Sequence, residues 1–359
     1  MQLEDLGWNG FFEAEWNARE RSGETPARVI SQHRELWEVR GEFGECAAEA
    51  SGKLRLAAET GADWPAVGDW VKVTGAVGQA RLIREVLPRR TQIVRKTAGR
   101  KVAEQVLAVN VDTLFVVMGL DGDYNVRRLE RYLAQGWETG ARLVVVLNKV
   151  DLCEDAQMRA DEIRLCAVGV DVACISAAGG EGVDHLNPYL LRGQTVALLG
   201  SSGVGKSTLL NRLLDAELQH TSPVRASDSR GRHTTTARQM FFLRAGAMVI
   251  DTPGLRELQL WDADEGLQQA FGDVEALAQS CRFRNCTHNS EPGCAIATAL
   301  DQGDLDAARL ENYRKLLREQ AFLERKLNQG AQLNAKARMK TINRAVRQLY
   351  KQRDREGKQ

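Results

Sequence analysis

The sequence has no long apolar run, no basic leader and few cysteines, and each absence excludes a class of protein. No segment reaches the roughly 18 consecutive apolar residues of a membrane span, so we expect no membrane partner. The first 15 residues include Glu4, Asp5 and Glu13 without a basic cluster, which argues against a secretory signal. Only seven cysteines occur, and three of them lie between Cys281 and Cys294. This usage excludes a disulfide framework and indicates a reducing, cytoplasmic setting.

The chain is too long for one ordinary domain, and its charges nearly balance. Its 359 residues suggest two or three domains. The formal net charge of +1 conceals a basic C-terminal segment. This segment indicates a polyanionic partner, although a solvated helix that keeps the protein soluble explains it equally well. Its basic residues are Lys336, Arg338, Lys340, Arg344, Arg347, Lys351, Arg353, Arg355 and Lys358.

The first hundred residues are rich in short apolar runs that alternate partly with polar residues. Glycines separate these runs, as is typical of strands joined by turns. The pattern predicts a small β-barrel, and a fragment of a β-sandwich would show the same pattern. The predicted strands are Val29–Val39, Lys53–Leu56, Val67–Val73 and Leu82–Val86.

From about Asp112 the runs become continuously apolar and alternate with segments that suit helices. Such alternation predicts a multidomain α/β chain with a parallel sheet covered by helices on both faces. The strands are Leu114–Gly119, Leu143–Asn148, Asp171–Ser176, Thr195–Gly200 and Ala247–Asp251, and the helices include Val126–Thr139 and Gln157–Val168. Beyond the cysteines, Leu310, Tyr313, Leu316 and Leu317 recur at near-helical spacing, and Asp304 is the predicted N-cap of that helix.

A glycine-rich loop between a predicted strand and a predicted helix matches G-x-x-x-x-G-K-[ST] in full. Its glycines let backbone N–H groups surround phosphate oxygens, and the helix N-terminus faces the same anion. We expect Lys206 to reach the β- and γ-phosphates and the Ser207 hydroxyl to bind Mg²⁺. A glycine-rich turn with a chance lysine is the alternative. The nucleotide-binding set here is Gly200, Ser201, Ser202, Gly203, Val204, Gly205, Lys206, Ser207 and Thr208.

The tetrapeptide NKVD, at residues 148–151, ends a buried strand and selects the base. The Asp151 carboxylate can accept hydrogen bonds from guanine N1–H and the 2-amino group, donors that adenine does not present there. The Lys149 stem can lie over the base, and Asn148 can brace neighbouring loops. Ser176 and Ala177, after the next strand, resemble the loop whose backbone N–H contacts the guanine carbonyl. Together with the phosphate loop, NKVD predicts GTP and GDP as ligands.

The segment DTPG supplies the γ-phosphate side of the site. Asp251 can hold Mg²⁺ through water, and the Gly254 N–H can sense the γ-phosphate. Between it and the phosphate loop lies a polar stretch, 222–238, that contains GRHTTT. We expect Thr235 to complete the Mg²⁺ coordination, with Thr234 or Thr236 as replacements. A merely solvated loop is the alternative.

The order of these motifs is unusual. NKVD and the serine–alanine pair precede the phosphate loop, whereas ordinary GTPases place the phosphate loop first. The same sheet can form if the usual termini are joined, through residues 179–194, and new ends open elsewhere. The order therefore predicts a circularly permuted domain, in which the chain runs from DTPG directly into the C-terminal region.

Three cysteines and one histidine lie within fourteen residues near the C-terminus. Cys281, Cys286, His288 and Cys294 form a Cys₃His set, the composition of a closed structural zinc site. The spacing differs from the common C-x-x-C. A group of unligated thiols in a short loop is the alternative, and it would be poorly packed and oxidisable.

These motifs in this order resemble the RsgA (YjeQ) family of ribosome small-subunit-dependent GTPases. The segments GSSGVGKS, GRHTTT, DTPG, NKVD and CRFRNCTHNSEPGC carry the resemblance, which covers nearly the whole chain. It implies an OB-fold RNA-binding barrel over residues 1–97 and a circularly permuted GTPase domain over 98–272. It further implies a zinc-binding, α-rich domain with a basic helical extension over 273–359.

The resemblance also implies late maturation of the small ribosomal subunit as the role. The implied partners are the subunit, its rRNA and other assembly factors, and the implied reaction is subunit-stimulated hydrolysis of GTP. Family members use the histidine of the GRHTTT-like loop in hydrolysis, which corresponds to His233. From the residues alone, a surface histidine without a role is the alternative. Leu255 stands where many GTPases place a glutamine that orients water.

The sequence therefore predicts a monomeric GTPase whose catalysis depends on Lys206, Thr235 and His233, with Mg²⁺ and one structural Zn²⁺. One alternative is an RNA-binding assembly factor that uses GTP as a structural switch with little turnover. A metabolic P-loop kinase or ATPase is another, and the NKVD motif argues against it.

Overall fold

The computed structural model describes residues 2–19, 23–75, 79–97, 103–215, 238–251, 264–288, 291–322 and 325. Within these ranges the chain forms an N-terminal barrel, a central sheet between helices, and a helical C-terminal region. None of the helices in these ranges is both long and apolar enough to cross a membrane.

A closed five-stranded barrel follows a short N-terminal helix. Strand β1 pairs with both β2 and β4, and β3 pairs in parallel with β5, so the ring runs β1-β2-β3-β5-β4 and returns to β1. Trp37, Val39, Val71 and Ile83 lie in its buried interior. This topology confirms the predicted barrel. The elements are α1 Gly10–Asn17, β1 Thr25–His33, β2 Leu36–Gly41, β3 Gly44–Ala50, α2 Gly52–Ala57, β4 Trp70–Thr74 and β5 Arg81–Val86.

Two of the predicted N-terminal strands are wrong in detail. The run 29–39 forms parts of two strands, because Arg34 turns the chain in the left-handed region at φ 57°. The run 53–56 lies in helix α2, whose N-cap Ser51 accepts a hydrogen bond from Leu54 N. The alternation of polar and apolar residues over positions 53–56 therefore belongs to a capped helical turn and does not indicate a strand.

The central sheet places six strands in the order β10-β9-β8-β11-β13-β12. All neighbours are parallel except β12 and β13. A separate antiparallel hairpin, β6 with β7, connects the barrel to this sheet. The elements are β6 Gln92–Thr97, β7 Ala103–Val109, β8 Thr113–Gly119, α3 Val126–Trp137, β9 Arg142–Asn148, α4 Ala156–Cys166, β10 Asp171–Ile175, β11 Thr195–Leu199, α5 Lys206–Asp215, β12 Arg238–Phe242 and β13 Met248–Asp251.

Helices cover both faces of the central sheet, as the apolar strands predict. Alternate residues of β8 enter different cores: Leu114 and Val116 pack with α3, α4 and the C-terminal helices. Phe115 and Val117 pack with α5 on the opposite face. Because side chains of a strand point alternately to the two faces, a strand buried on both sides must be continuously apolar.

The C-terminal region packs against α3. It contains α6 Asp264–Ala270, α7 Gly272–Gln279, α8 Ala295–Gln302 and a further helix, α9, over residues 307–322. The prediction that Asp304 caps this helix is wrong. Asp306 caps α9, since its Oδ1 accepts from Ala308 N at 3.0 Å. The Asp304 N–H instead donates to Ala299 O and completes the end of α8.

The barrel and the central sheet are joined by backbone pairing. Ser31 and Gln32 of β1 pair with Gln239 and Arg238 of β12, which makes one continuous eleven-stranded sheet. The division at residues 97 and 272 stays a prediction.

Candidate nucleotide and metal sites

The glycine-rich loop lies between β11 and α5 and depends on its glycines. Gly200, Gly203 and Gly205 have φ of 153°, 85° and 95°, a region that other residues rarely adopt. A Cβ on Gly200 would lie 2.3 Å from Val117 O, and one on Gly205 would lie 2.3 Å from Asn148 Nδ2. At Gly200 and Gly205 the loop therefore approaches the ends of β8 and β9 too closely for a side chain.

Lysine and hydroxyl groups lie at the mouth of this loop. The Lys206 ammonium donates to Gly200 O and Ser201 O, both at 2.6 Å. Ser202, Ser207 and Thr208 are exposed, whereas Val204 is buried beneath the loop. Helix α5 begins at Lys206, so its N-terminal N–H groups face the same mouth. The loop can therefore surround an anion with amide groups and one ammonium group.

Asn148 connects three of the predicted motifs. The side chain is 2% exposed at the end of β9. Its Nδ2 donates to Val204 O of the glycine-rich loop at 2.7 Å. Its Oδ1 accepts from Ala177 N at 2.9 Å. One buried amide thus fixes the base-selecting loop, the serine–alanine loop and the phosphate loop relative to each other.

The serine–alanine loop is a compact turn. The Ser176 hydroxyl, in a residue 1% exposed, accepts from Gly179 N at 2.9 Å. Ser176 O accepts from Gly180 N at 2.7 Å. Arg212 of α5 donates to the carbonyls of Ala177 and Ala178. These bonds hold the turn beside the carboxyl end of β9.

Lys149 and Asp151 form the outer part of the base-selecting loop. Lys149 has φ of 69°, and its Nζ lies 2.6 Å from Asp121 Oδ2. This ammonium group holds the pKa of the Asp121 carboxyl below its usual value. Asp151 is exposed in the turn Val150–Leu152, where its carboxylate can meet a ligand from solvent.

The γ-phosphate side is described only in part. Asp251 ends β13, whose neighbour β11 leads into the glycine-rich loop, so both motifs lie at one edge of the sheet. His233, Thr234, Thr235, Thr236, Gly254 and Leu255 lie outside the described residues. The basic residues predicted near the C-terminus, 336–358, also lie outside them.

The predicted zinc ligands converge. The four ligand atoms of Cys281, Cys286, His288 and Cys294 all lie within 4.8 Å of one another. Cys281 Sγ lies 3.9 Å from Cys294 Sγ and 3.4 Å from His288 Nδ1, and Cys294 Sγ lies 3.7 Å from the same nitrogen. Tetrahedral zinc with Zn–S bonds of about 2.3 Å separates two sulfurs by about 3.8 Å. The donor set and its spacing therefore suit a zinc ion.

Local structure aims two of these ligands. Cys294 is the N-cap of α8, and its sulfur accepts from Ala297 N at 3.4 Å. His288 has φ of 59°, and its carbonyl accepts from Arg314 of α9 at 2.6 Å. The cluster thus joins the end of α7, the start of α8 and the side of α9.

Sequence reasoning missed the acidic loop after β8. Asp121 contacts Lys149, and Asp123 Oδ2 accepts from the Ser201 hydroxyl at 2.8 Å. The available signal was their position, because loops after the carboxyl ends of parallel strands commonly surround the ligand.

A family model described as RsgA GTPase matches residues 86–261. A relative from Opitutus terrae, the small ribosomal subunit biogenesis GTPase RsgA, is 48% identical over 338 residues. That alignment covers 91% of this chain and 92% of the relative.

Two solved structures share the fold. The crystal structure of YjeQ from Thermotoga maritima matches with a TM-score of 0.62 and 27% identity, covering 82% of this chain and 98% of that one. The structure of YloQ, a circularly permuted GTPase, matches with a TM-score of 0.58 and 24% identity, covering 84% of this chain and 97% of that one. The motif order and both structural matches agree on a permuted GTPase fold. The chain belongs to the RsgA family of GTP-hydrolysing proteins.

Proposed function

We propose that this GTPase acts in late maturation of the small ribosomal subunit and hydrolyses GTP fastest when bound to that subunit. The main structural support for the nucleotide site is the buried Asn148 amide, which connects the base-selecting, serine–alanine and phosphate loops. The similarity to relatives named small ribosomal subunit biogenesis GTPases supports the subunit as partner.

In the proposed site, the two ends of the nucleotide contact different loops. The Asp151 carboxylate accepts from guanine, the Lys149 stem covers the ring, and the loop at Ser176 and Ala177 borders the guanine carbonyl. The phosphates lie in the loop 200–208, where Lys206 neutralises charge that develops as water attacks the γ-phosphate in line. Mg²⁺, when bound, neutralises further phosphate charge.

The remaining catalytic groups are assigned from their motifs. Ser207 and Thr235 would bind the magnesium ion, with Thr234 or Thr236 as alternatives to Thr235, and Asp251 would hold it through water. The Gly254 N–H senses the γ-phosphate, and His233 aligns the attacking water. A loop residue that must be ordered before it can act makes a bound partner an activator.

We assign the Cys₃His cluster to one structural zinc ion. Three thiolates and an imidazole leave no open position for catalysis, so the ion would hold α7, α8 and α9 together. The other proposed partners are rRNA and further assembly factors. The protein would act as a monomer in the cytoplasm.

A second function is an RNA-binding factor that uses GTP as a structural switch with little turnover. The pairing of β1 with β12 favours it, because β12 begins one residue beyond the GRHTTT segment and is hydrogen-bonded to the barrel. Nucleotide-dependent changes in that segment could therefore reach the barrel without hydrolysis.

Turnover measurements separate the two functions. GTP hydrolysis is measured with purified small subunits, with large subunits and with neither, and co-sedimentation is measured with GDP and with a non-hydrolysable GTP analogue. We expect small subunits, but not large subunits, to raise the rate of GTP hydrolysis. We also expect the protein to bind small subunits more tightly with the GTP analogue than with GDP. Analogue-dependent binding with unstimulated turnover would support the switch, and equal binding to both subunits would refute the proposed partner.

A further inference from the structure

The loop between β8 and α3 makes a close contact with the base-selecting motif. Asp121 Oδ2 lies 2.6 Å from Lys149 Nζ, and the two side chains are only 32% and 24% exposed. Because the ammonium group is fixed at its tip, the aliphatic stem of Lys149 has few rotamers left. A stem that is already ordered loses less entropy when a ring is placed against it.

Asp121 is itself held in place by its own loop. Its Oδ1 accepts from Asp123 N at 3.1 Å, and Tyr124 N donates to Asp121 O at 3.1 Å. Gly119 permits this turn, since a Cβ there would lie 2.5 Å from Asp121 Oδ1. The carboxylate is therefore aimed at Lys149 by the backbone and does not depend on the lysine for its position.

The same loop is attached to the elements on either side of it. Leu120 N donates to Asn148 O at 2.8 Å, and Arg159 of α4 donates to Leu120 O at 2.8 Å. Asp123 accepts from Ser201 of the phosphate loop at 2.8 Å and from Arg128 of α3 at 2.8 Å. Movement of Asp121 would require movement of these partners too.

We propose that Asp121 is a positioning residue for nucleotide binding, which holds Lys149 in the conformation that covers the guanine ring. Asp121 acts through Lys149 and does not read the base edge, so it sets affinity and leaves base selectivity unchanged. This inference rests on the proposed base site at residues 148–151.

The test compares Asp121→Asn with a matched control in the full-length protein. Asp171→Asn is that control, because Asp171 forms a 2.7 Å ion pair with Arg142 at the opposite end of neighbouring strands. Dissociation constants for GDP, GTP and inosine triphosphate are measured with a fluorescent GDP analogue. We expect Asp121→Asn to weaken all three by about fivefold to tenfold, with an unchanged GTP to inosine triphosphate ratio. The control should change none of them.

A double-mutant cycle separates positioning from a general structural role. In the Lys149→Met background, Asp121→Asn should have no further effect on GDP affinity, because the group that it positions is gone. In the single variant Asp121→Asn, the maximal rate of GTP hydrolysis should stay within about twofold of wild type while the KM for GTP rises. Equal loss of affinity with and without Lys149 would overturn the inference, as would unchanged affinity in Asp121→Asn.

These measurements can refute the role of Asp121 separately from the proposed base site. A wild-type protein that does not prefer GTP to ATP would refute the base site itself. A wild-type protein with that preference, combined with an unaffected Asp121→Asn variant, would refute only the role of Asp121.

Discussion

The contact between α3 and α9 gives a prediction whose magnitude follows from the structure. Arg309, 10% exposed, donates to Glu130 Oε1 at 2.7 Å, and Glu130 is completely buried. The same guanidinium binds both oxygens of Asp273, at 2.8 and 2.7 Å, and Ala270 O at 2.9 Å. Arg309 thus joins α9 to α3 and to the start of α7.

Replacing Arg309 by Met should destabilise the protein by about 3 kcal/mol. Removing one partner of a buried ion pair commonly costs about 3–5 kcal/mol, because the other charge is left without compensation. The lower end applies here, since Arg127 and Asn312 still donate to Glu130 at 2.7 and 2.6 Å.

Arg131→Met is the matched control across the same pair of helices. Arg131 binds both oxygens of Glu319 on α9 at 2.8 and 2.7 Å, but its side chain is 33% exposed and that of Glu319 is 36% exposed. Such partly exposed pairs contribute about 1 kcal/mol or less. Calorimetry and pulse proteolysis of the nucleotide-free protein measure the stability of both variants. A loss of stability in Arg309→Met no larger than that in Arg131→Met would refute the reasoning.

The pair with Asp273 adds a dependence on pH. Burial raises the pKa of Asp273, but the hydrogen bond and charge of Arg309 outweigh burial and hold it below its usual value. A carboxyl whose pKa is depressed in the folded state stabilises the fold above its unfolded pKa of about 3.9, and that contribution is lost as pH falls through the folded pKa. The difference in free energy of unfolding between wild type and Arg309→Met should therefore become smaller below about pH 4.

Three further predictions concern the sites. Asp151→Asn should weaken GTP at least about tenfold and gain xanthosine triphosphate, because an amide pairs with the altered purine edge; unchanged GTP affinity would contradict the base assignment. Cys286→Ala or His288→Ala should release zinc and loosen the C-terminal helices while GDP binding survives, and metal analysis that still finds one zinc per chain would show a wrong ligand set. His233→Ala should keep GTP binding and subunit association but lose most of the stimulated rate, against an intrinsic rate of roughly 10⁻⁴ s⁻¹; stimulated hydrolysis at the wild-type rate would exclude His233.

The central sheet could be predicted from the sequence because strands that are buried on both faces have continuously apolar sequences. β8, β9 and β11 are almost continuously apolar, and each was predicted to within a residue or so of its observed ends. The barrel was harder, since its strands face solvent on one side. β3, with the sequence GECAAEA, consists of residues that seldom favour strands, and only its pairing with β2 and β5 makes it one.

Motif residues could be placed by spacing, but their supporting contacts could not. The convergence of the four metal ligands follows from short spacing in one segment, whereas Arg309 and Glu130 are 179 residues apart. Asp304 and Asp306 are equally good N-caps in sequence. Gly303, with φ of 81°, ends α8 and leaves Asp306 to begin the next helix, which only the packing of both helices decides.

The permuted order gives helix α3 a position between the two sites. At its N-terminal end, the loop 120–125 contacts Lys149 and Ser201. Along its length, Glu130 and Arg131 bind the helix α9 that also supports the metal cluster through Arg314. A conventional GTPase order would place this strand and helix in mid-domain, after the phosphate loop. Here they open the central sheet, and the chain that leaves β13 returns to pack on them. The nucleotide loops are therefore connected to the C-terminal region covalently, through the DTPG segment, and by the packing of α9 on α3.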